Sequence, residues 1–169
     1  MTNQLNPVKV REEIVITRVF NAPRAMVFEA WTNPQYLAGW WGPHGFTCPR
    51  CEIDVRAGGI IRIDMRAPNG TIYPMAGVYL EIVTPERLTY TAGALDEKGA
   101  QLFEFLHVVK FDEKEGKTTL VMKTQLVKTT AEAAKYIGGF EAGMTQSLEK
   151  LAGQLAKQSV ETVTTSNKQ

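Results

Sequence analysis

Residues Asn21 to Phe46 read NAPRAMVFEAWTNPQYLAGWWGPHGF, and the reading of the fold turns on them. Asn21 offers a helix cap and Pro23 a pre-set first helical φ, which predicts a short helix to about Trp31. Thr32 or Asn33, followed by Pro34, starts a second short helix that Gly39 ends. All three tryptophans of the chain, Trp31, Trp40 and Trp41, fall within eleven residues, and Gly42, Pro43 and Gly45 then break up the backbone. Large aromatics on such punctuated backbone cost order and desolvation unless they cap something. The simplest candidate is the mouth or wall of an apolar cavity built by the rest of the chain.

Outward from this stretch the period becomes two. Before it, Ile14, Ile16 and Phe20 share one face of a first strand, with Arg18 intruding among them. After it, Ile53 and Val55 alternate with Glu52, Asp54 and Arg56, and Gly58-Gly59 turns the chain. Ile61, Ile63 and Met65 then oppose Arg62, Asp64 and Arg66 up to the turn Pro68-Asn69-Gly70. Val78, Leu80 and Ile82 carry the next strand, stopped by Pro85, and Leu88 and Tyr90 mark a fifth. Residues 101–111 and 118–127 flank the charged turn DEKEGK, a hairpin signal.

The end of the chain differs in kind. Thr129 and Glu132 have capping-box spacing, and Tyr136, Phe140, Met144, Leu148, Leu151 and Leu155 recur every three or four residues along one helix face. Gly138, Gly139 and Gly143 weaken such a helix by up to ~1 kcal/mol each relative to Ala. They make sense where the sheet or a ligand approaches closely. The order strand, two short helices, six strands, long helix predicts an α+β fold in which a curved antiparallel sheet of about seven strands grips the C-terminal helix. The expected domain spans 13–157, with polar tails at 1–12 and 158–169.

Composition narrows the function. The 169 residues are 44% hydrophobic, and 19 basic against 18 acidic side chains leave a net charge of +1. That balance carries no electrostatic footprint for nucleic acid or an anionic membrane. No secretory leader and no run of ~18 apolar residues is present, so cytoplasmic residence is expected. Two cysteines and two histidines cannot supply a four-ligand zinc site with usual spacings, so no metal and no cofactor are expected. Cys48 and Cys51 read as reduced thiols on a strand, where positions three apart face opposite sides.

The pattern Arg-x-Phe-x-Ala-Pro (Arg18 to Pro23), Trp31-Thr32-x-Pro34 and Leu37-x-x-Trp-Trp-Gly-Pro-x-Gly-Phe46 resembles the bacterial single-domain relatives of the Hsp90 ATPase activator (AHSA1-like). These belong to the START/Bet v 1-like (SRPBCC) superfamily of helix-grip proteins. The turn Arg56 to Gly59, the runs Gly77 to Ile82 and Pro85 to Leu88, and the ending Gly143 to Leu151 extend the resemblance over about 13–157. It implies a helix-grip fold around a cavity for a small hydrophobic ligand. The family's last helix often places tryptophan after the glycine where this chain has Met144, which implies a wider or more adaptable cavity here.

The expected lining is Trp40, Trp41, Phe46, Ile61, Ile63, Met65, Tyr79, Phe105, His107, Tyr136, Phe140 and Met144. His107 shares a parity with Phe103, Phe105 and Phe111, but the opposite parity (Leu102, Leu106, Val108) is apolar too, so the pattern leaves the inward face open. His44 reads as exposed, and Arg18 either finds a polar partner or reaches the strand end. Asp112, Glu113 and Glu115 read as solvated turn residues.

No nucleophile, base and orienting group assemble in the sequence, so binding without turnover is expected. Two alternatives stand beside it. Similar folds include polyketide cyclases and aromatases, for which His107, Arg18 and Tyr79 would be the players. The Hsp90 activators themselves carry a separate N-terminal domain with an Asn- and Trp-rich motif. This chain shows no such segment, so Hsp90 stimulation by that route is not expected. Oligomeric state is left open.

Overall fold

In a computed structural model the chain is described over residues 6–7, 13–130 and 138–166, with side chains to residue 158. Among the described residues eight strands and three helices follow in order: β1 (Asn6–Pro7), β2 (Ile14–Phe20), α1 (Arg24–Thr32), α2 (Pro34–Trp40), β3 (Thr47–Ile53), β4 (Ile60–Arg66), β5 (Ile72–Val83), β6 (Arg87–Ala94), β7 (Phe103–Lys114), β8 (Lys117–Thr129) and α3 (Phe140–Ser166). Seven of the strands are those read from the alternation. The two-residue β1 adds itself to β8 opposite Lys128 and Thr129. The sheet runs β1-β8-β7-β6-β5-β4-β3, wholly antiparallel, with β2 also on the outer side of β8. The first strand and β3 therefore lie at opposite edges, and α1 and α2 carry the chain between them. The α+β helix-grip architecture follows, with α3 over the concave face.

The local reasons are visible element by element. Asn33 caps α2 by accepting from the Gln35 amide at 3.0 Å, with Pro34 in the first turn. Helix α1 begins differently from expectation. Pro23 holds the N-cap position, Asn21 caps nothing, and the Arg24 amide donates to the Glu113 carboxylate at 2.6 Å. Glu113 on the β7–β8 hairpin is exposed, as expected, and is also a remote cap; a carboxylate there suits the positive end of the helix.

Strand β7 settles its parity: Phe103, Phe105, His107, Val109 and Phe111 are all buried. Strand β5 presents Tyr79 inward while Val78 and Leu80 face solvent at 37% and 49% exposure. A register shift between Tyr79 and Glu81 accompanies this. The Gly58-Gly59 turn docks on that point, with the Gly58 amide on the Tyr79 carbonyl and the Tyr79 amide on the Gly59 carbonyl. A Cβ on Gly59 would overlap the Asp54 carbonyl oxygen, which is why the turn needs glycine.

One further expectation is corrected. A bulge between Thr47 and Arg50 gives β3 an extra residue. It turns Cys48, Cys51 and Ile53 to the same side, all packed against the core, so the two thiols do not face opposite sides. Thr129 ends strand β8, and the helix start expected from its spacing with Glu132 lies outside the described residues. The described last helix opens at Phe140, after a turn at Gly138 and Gly139. It runs on to Ser166, beyond the expected domain end at 157.

Candidate functional site: a cavity at one end of the grip

The core does not fill the grip evenly. Cross-strand register lines up rows of inward residues: Gly77–Ala92–Phe105, then Tyr79–Tyr90–His107–Thr124, then Leu88–Val109–Met122. Beyond the third row, Phe20, Phe111, Leu120, Trp40, Leu148 and Leu151 are fully buried and in one cluster. On the other side of the His107 row lies a cavity of about 360 Å³. That is near the lower end of the ~300–1,000 Å³ usual for small-molecule sites.

Four strands, one helix and one loop segment build it. Strands β4 and β5 contribute Met65, Tyr73, Pro74 and Met75. Ala92 to Ala94 of β6 and Phe103, Phe105 and His107 of β7 form the floor. Helix α3 supplies Phe140, Gly143, Met144 and Ser147, and the segment after α2 supplies Trp41, Gly42, Pro43 and Phe46. Trp41, Phe46, Tyr73 and Phe140 are half-buried and mark the mouth, whereas Phe105, His107 and Met144 are buried and mark the depth. None of the lining residues is charged.

The loop after α2 is tied to α3 by several bonds. The Gly42 amide donates to Ser147 Oγ at 3.0 Å and the His44 amide to Gln146 Oε1 at 3.0 Å. Lys150 Nζ donates to the carbonyls of Gly42, Pro43 and Phe46 at 3.1–3.4 Å. Burial lowers the pKa of this amine, partly opposed by the nearby Cys48. Gly42 adopts φ 101°, and a Cβ there would press on Met65 Sδ and Phe46 Cβ at 3.2 Å. His44 is exposed and pairs with Glu149 at 2.9 Å.

His107 is the polar group at the floor. Its Nδ1 lies 2.8 Å from Thr124 Oγ1, and its ring stacks on Phe140 at 27° and 5.5 Å between centroids. Tyr90 and Phe105 flank it, with centroids at 4.7 and 5.6 Å. Burial pushes its pKa down to about 3, so the imidazole is neutral at ordinary pH.

Of the expected lining, Trp41, Phe46, Met65, Phe105, His107, Phe140 and Met144 surround this cavity. Trp40 does not. Its indole is fully buried and donates to the Ala30 carbonyl at 2.9 Å, packed at a 60° tilt against Trp31 in the solid part of the core. Ile61, Ile63 and Tyr79 also lie elsewhere, around a separate void of about 20 Å³ under Trp31 and Leu37. Tyr136 falls outside the described residues. Arg18 sits half-buried on β2 opposite Leu120 and off the cavity, so His107 alone of His107, Arg18 and Tyr79 lines it.

The residues that sequence reasoning missed come mainly from Tyr73–Met75 and Ala92–Ala94. Pro74 inside β5 hid that strand's beginning, although Tyr73 and Met75 already alternate with their neighbours after the Asn69-Gly70 turn. Burial pushes the thiols of Cys48 and Cys51 up to about 11, so neither is a ready nucleophile or ligand. Among the described residues no three His, Cys, Asp or Glu side chains are grouped to hold a metal ion. No described helix is long and apolar enough to cross a membrane.

Known proteins bear this architecture. A protein from Chromobacterium violaceum is 28% identical with a TM-score of 0.70, covering 85% of this chain and 96% of its own. One from Rhizobium leguminosarum is 26% identical with a TM-score of 0.75, at 86% and 95% coverage. The AHSA1 protein from Silicibacter pomeroyi, at 23% identity and a TM-score of 0.72, covers 87% of this chain and 99% of its own and shares the fold. No functionally curated protein matches the chain. The family model described as activator of Hsp90 ATPase homolog 1-like protein matches residues 21–156. With most of its length inside that match, the chain belongs to the activator of Hsp90 ATPase homolog 1-like family.

Proposed function

We propose that this protein binds a small hydrophobic molecule between the sheet and α3 and holds it without turnover, as a carrier, store or sensor. The observation that carries the reading is the uncharged aromatic and aliphatic cavity of about 360 Å³ beside an otherwise filled core. Burying apolar ligand surface there contributes ~25 cal/mol per Å² before the costs of association. Membership of a helix-grip superfamily whose members bind hydrophobic ligands supports it. The binding unit is placed at residues 13–157, working in the cytoplasm.

The test is saturable binding of an apolar fluorescent probe, together with mass spectrometry of what co-purifies from native cells. We expect one probe per chain, displaced by the co-purifying compound. Probe binding that does not saturate, with nothing co-purifying, would overturn the reading.

A further inference from the structure

We propose that the occupant is an uncharged, flat ring compound whose single polar group, a hydroxyl or a carbonyl, bonds to His107 Nε2. This deepens the hydrophobic-binding reading and rests on it.

The argument is an inventory of unused polar valence inside the cavity. Four lining side chains carry polar atoms: Trp41, Tyr73, Ser147 and His107. Trp41 and Tyr73 are half-buried at the mouth, where water serves the indole N–H and the hydroxyl. Ser147 is committed twice, donating to the Gly143 carbonyl at 2.9 Å and accepting from the Gly42 amide at 3.0 Å. His107 uses only Nδ1, on Thr124, and Nε2 makes no hydrogen bond among the described residues. A residue that is 3% exposed thus keeps one ring nitrogen unused while lining the cavity. Burying such an atom without a partner is costly, so a ligand that supplies the partner gains more than one that does not.

The tautomer is adaptable. A threonine hydroxyl both donates and accepts, so Thr124 holds the imidazole with the proton on either nitrogen. Nε2 accordingly accepts from a hydroxyl or donates to a carbonyl.

Charge and shape narrow the occupant further. No Asp, Glu, Lys or Arg lines the cavity, and the neighbouring Lys150 amine is taken up by the three loop carbonyls. A carboxylate or ammonium would enter without a counter-ion, which burial penalises heavily. The imidazole lies nearly parallel to Phe140, and Phe46 and Tyr73 form a further ring pair at the mouth, 37° apart. Aromatic faces on several sides favour a flat ring over a branched aliphatic chain.

Four naphthalene derivatives of one skeleton test this: naphthalene, 2-naphthol, 2-naphthoate and 2-naphthylmethylammonium. Titrated at neutral pH, 2-naphthol should bind roughly three- to tenfold more tightly than naphthalene, the worth of one net hydrogen bond. Both ions should bind at least about tenfold more weakly than 2-naphthol. His107→Phe should bring 2-naphthol down to naphthalene and leave naphthalene unchanged. Should that variant not fold, the imidazole nitrogen resonances of the unaltered protein give the answer: Nε2 shifts with 2-naphthol and stays still with naphthalene. Equal binding of naphthalene and 2-naphthol, tight binding of either ion, or an unmoved Nε2 resonance overturns this inference while hydrophobic binding stands. If neither the four compounds nor an apolar dye bind, the hydrophobic-binding reading falls, and this inference with it.

Discussion

The two ends of the grip use the same helix face and the same sheet to opposite effect. Toward the C-terminal part of α3, Leu148, Leu151 and Leu155 meet Trp31, Trp40, Phe111 and Leu120 in one closely packed cluster. Toward its start, Gly143 and Met144 border open volume together with Ala92 and Gly93, while the Phe140 ring stands against Phe105 at 4.8 Å between centroids. Leucine and tryptophan interdigitate and fill space, whereas glycine and alanine withdraw from it and methionine adapts to it. Stability and function are thus divided along one helix, with the His107 row as the border.

The largest test of that division is Leu151→Ala set beside Met144→Ala. Leu151 is fully buried in the closed end, so truncation should cost about 2–5 kcal/mol. Met144 already borders open volume, so its truncation enlarges an existing cavity and should cost less than half as much. Chemical denaturation of both variants measures the ratio. Equal losses would mean that the two ends are packed alike.

Next in size is the acid response of the border. The folded His107 has its pKa lowered from 6.5 to about 3 by burial, so the unfolded chain binds the extra proton more readily. Its contribution to stability is complete above pH 6.5 and declines as pH falls toward 3, by up to about 1.4 kcal/mol per pH unit. Denaturation midpoints of the unaltered protein and His107→Phe should converge on acidification through this window. A constant difference between them would place the imidazole in contact with water.

Much of the fold was legible because burial on one face imposes a simple period on strands and helix. Alternation in Ile61, Ile63 and Met65 and the spacing from Phe140 to Leu155 both survive in the structure. What the pattern could not show were departures from the period. The extra residue in β3 reversed Cys48 relative to Cys51, and the shift after Tyr79 put Ile82 against the core while Val78 and Leu80 face solvent. Contacts distant in sequence were equally hidden, such as Glu113 reaching the Arg24 amide 89 residues away. The site was half legible for a related reason. Aromatic content identifies large side chains but not whether they fill space or border it, and Trp40 and Trp41, adjacent in sequence, do one each.

Met144→Trp sharpens the comparison by trying to convert the open end into the closed one. An indole forced into a filled core costs ~1–3 kcal/mol. Here about 360 Å³ is available, so the melting temperature should stay nearly unchanged while probe affinity falls by about tenfold or more. Loss of stability with probe binding intact would make Met144 a core residue and end the wide-cavity reading.

The smallest effect lies just beneath the border. Tyr90 is wholly buried between Tyr79 and His107, and its hydroxyl finds no hydrogen-bond partner among the described residues. Burial also raises its pKa well above the usual phenol value, so the group stays protonated. A buried hydroxyl without a partner carries a desolvation cost of about 1–3 kcal/mol, part of which its removal recovers. Tyr90→Phe keeps the ring on His107 and should leave stability unchanged or raise it by up to about 1 kcal/mol, some 2–4 °C for a chain this long. Probe binding should not change, because Tyr90 lines the small void and not the cavity. A clear fall in melting temperature would show that the hydroxyl is satisfied from within the closed end, and that the border there is polar on both sides.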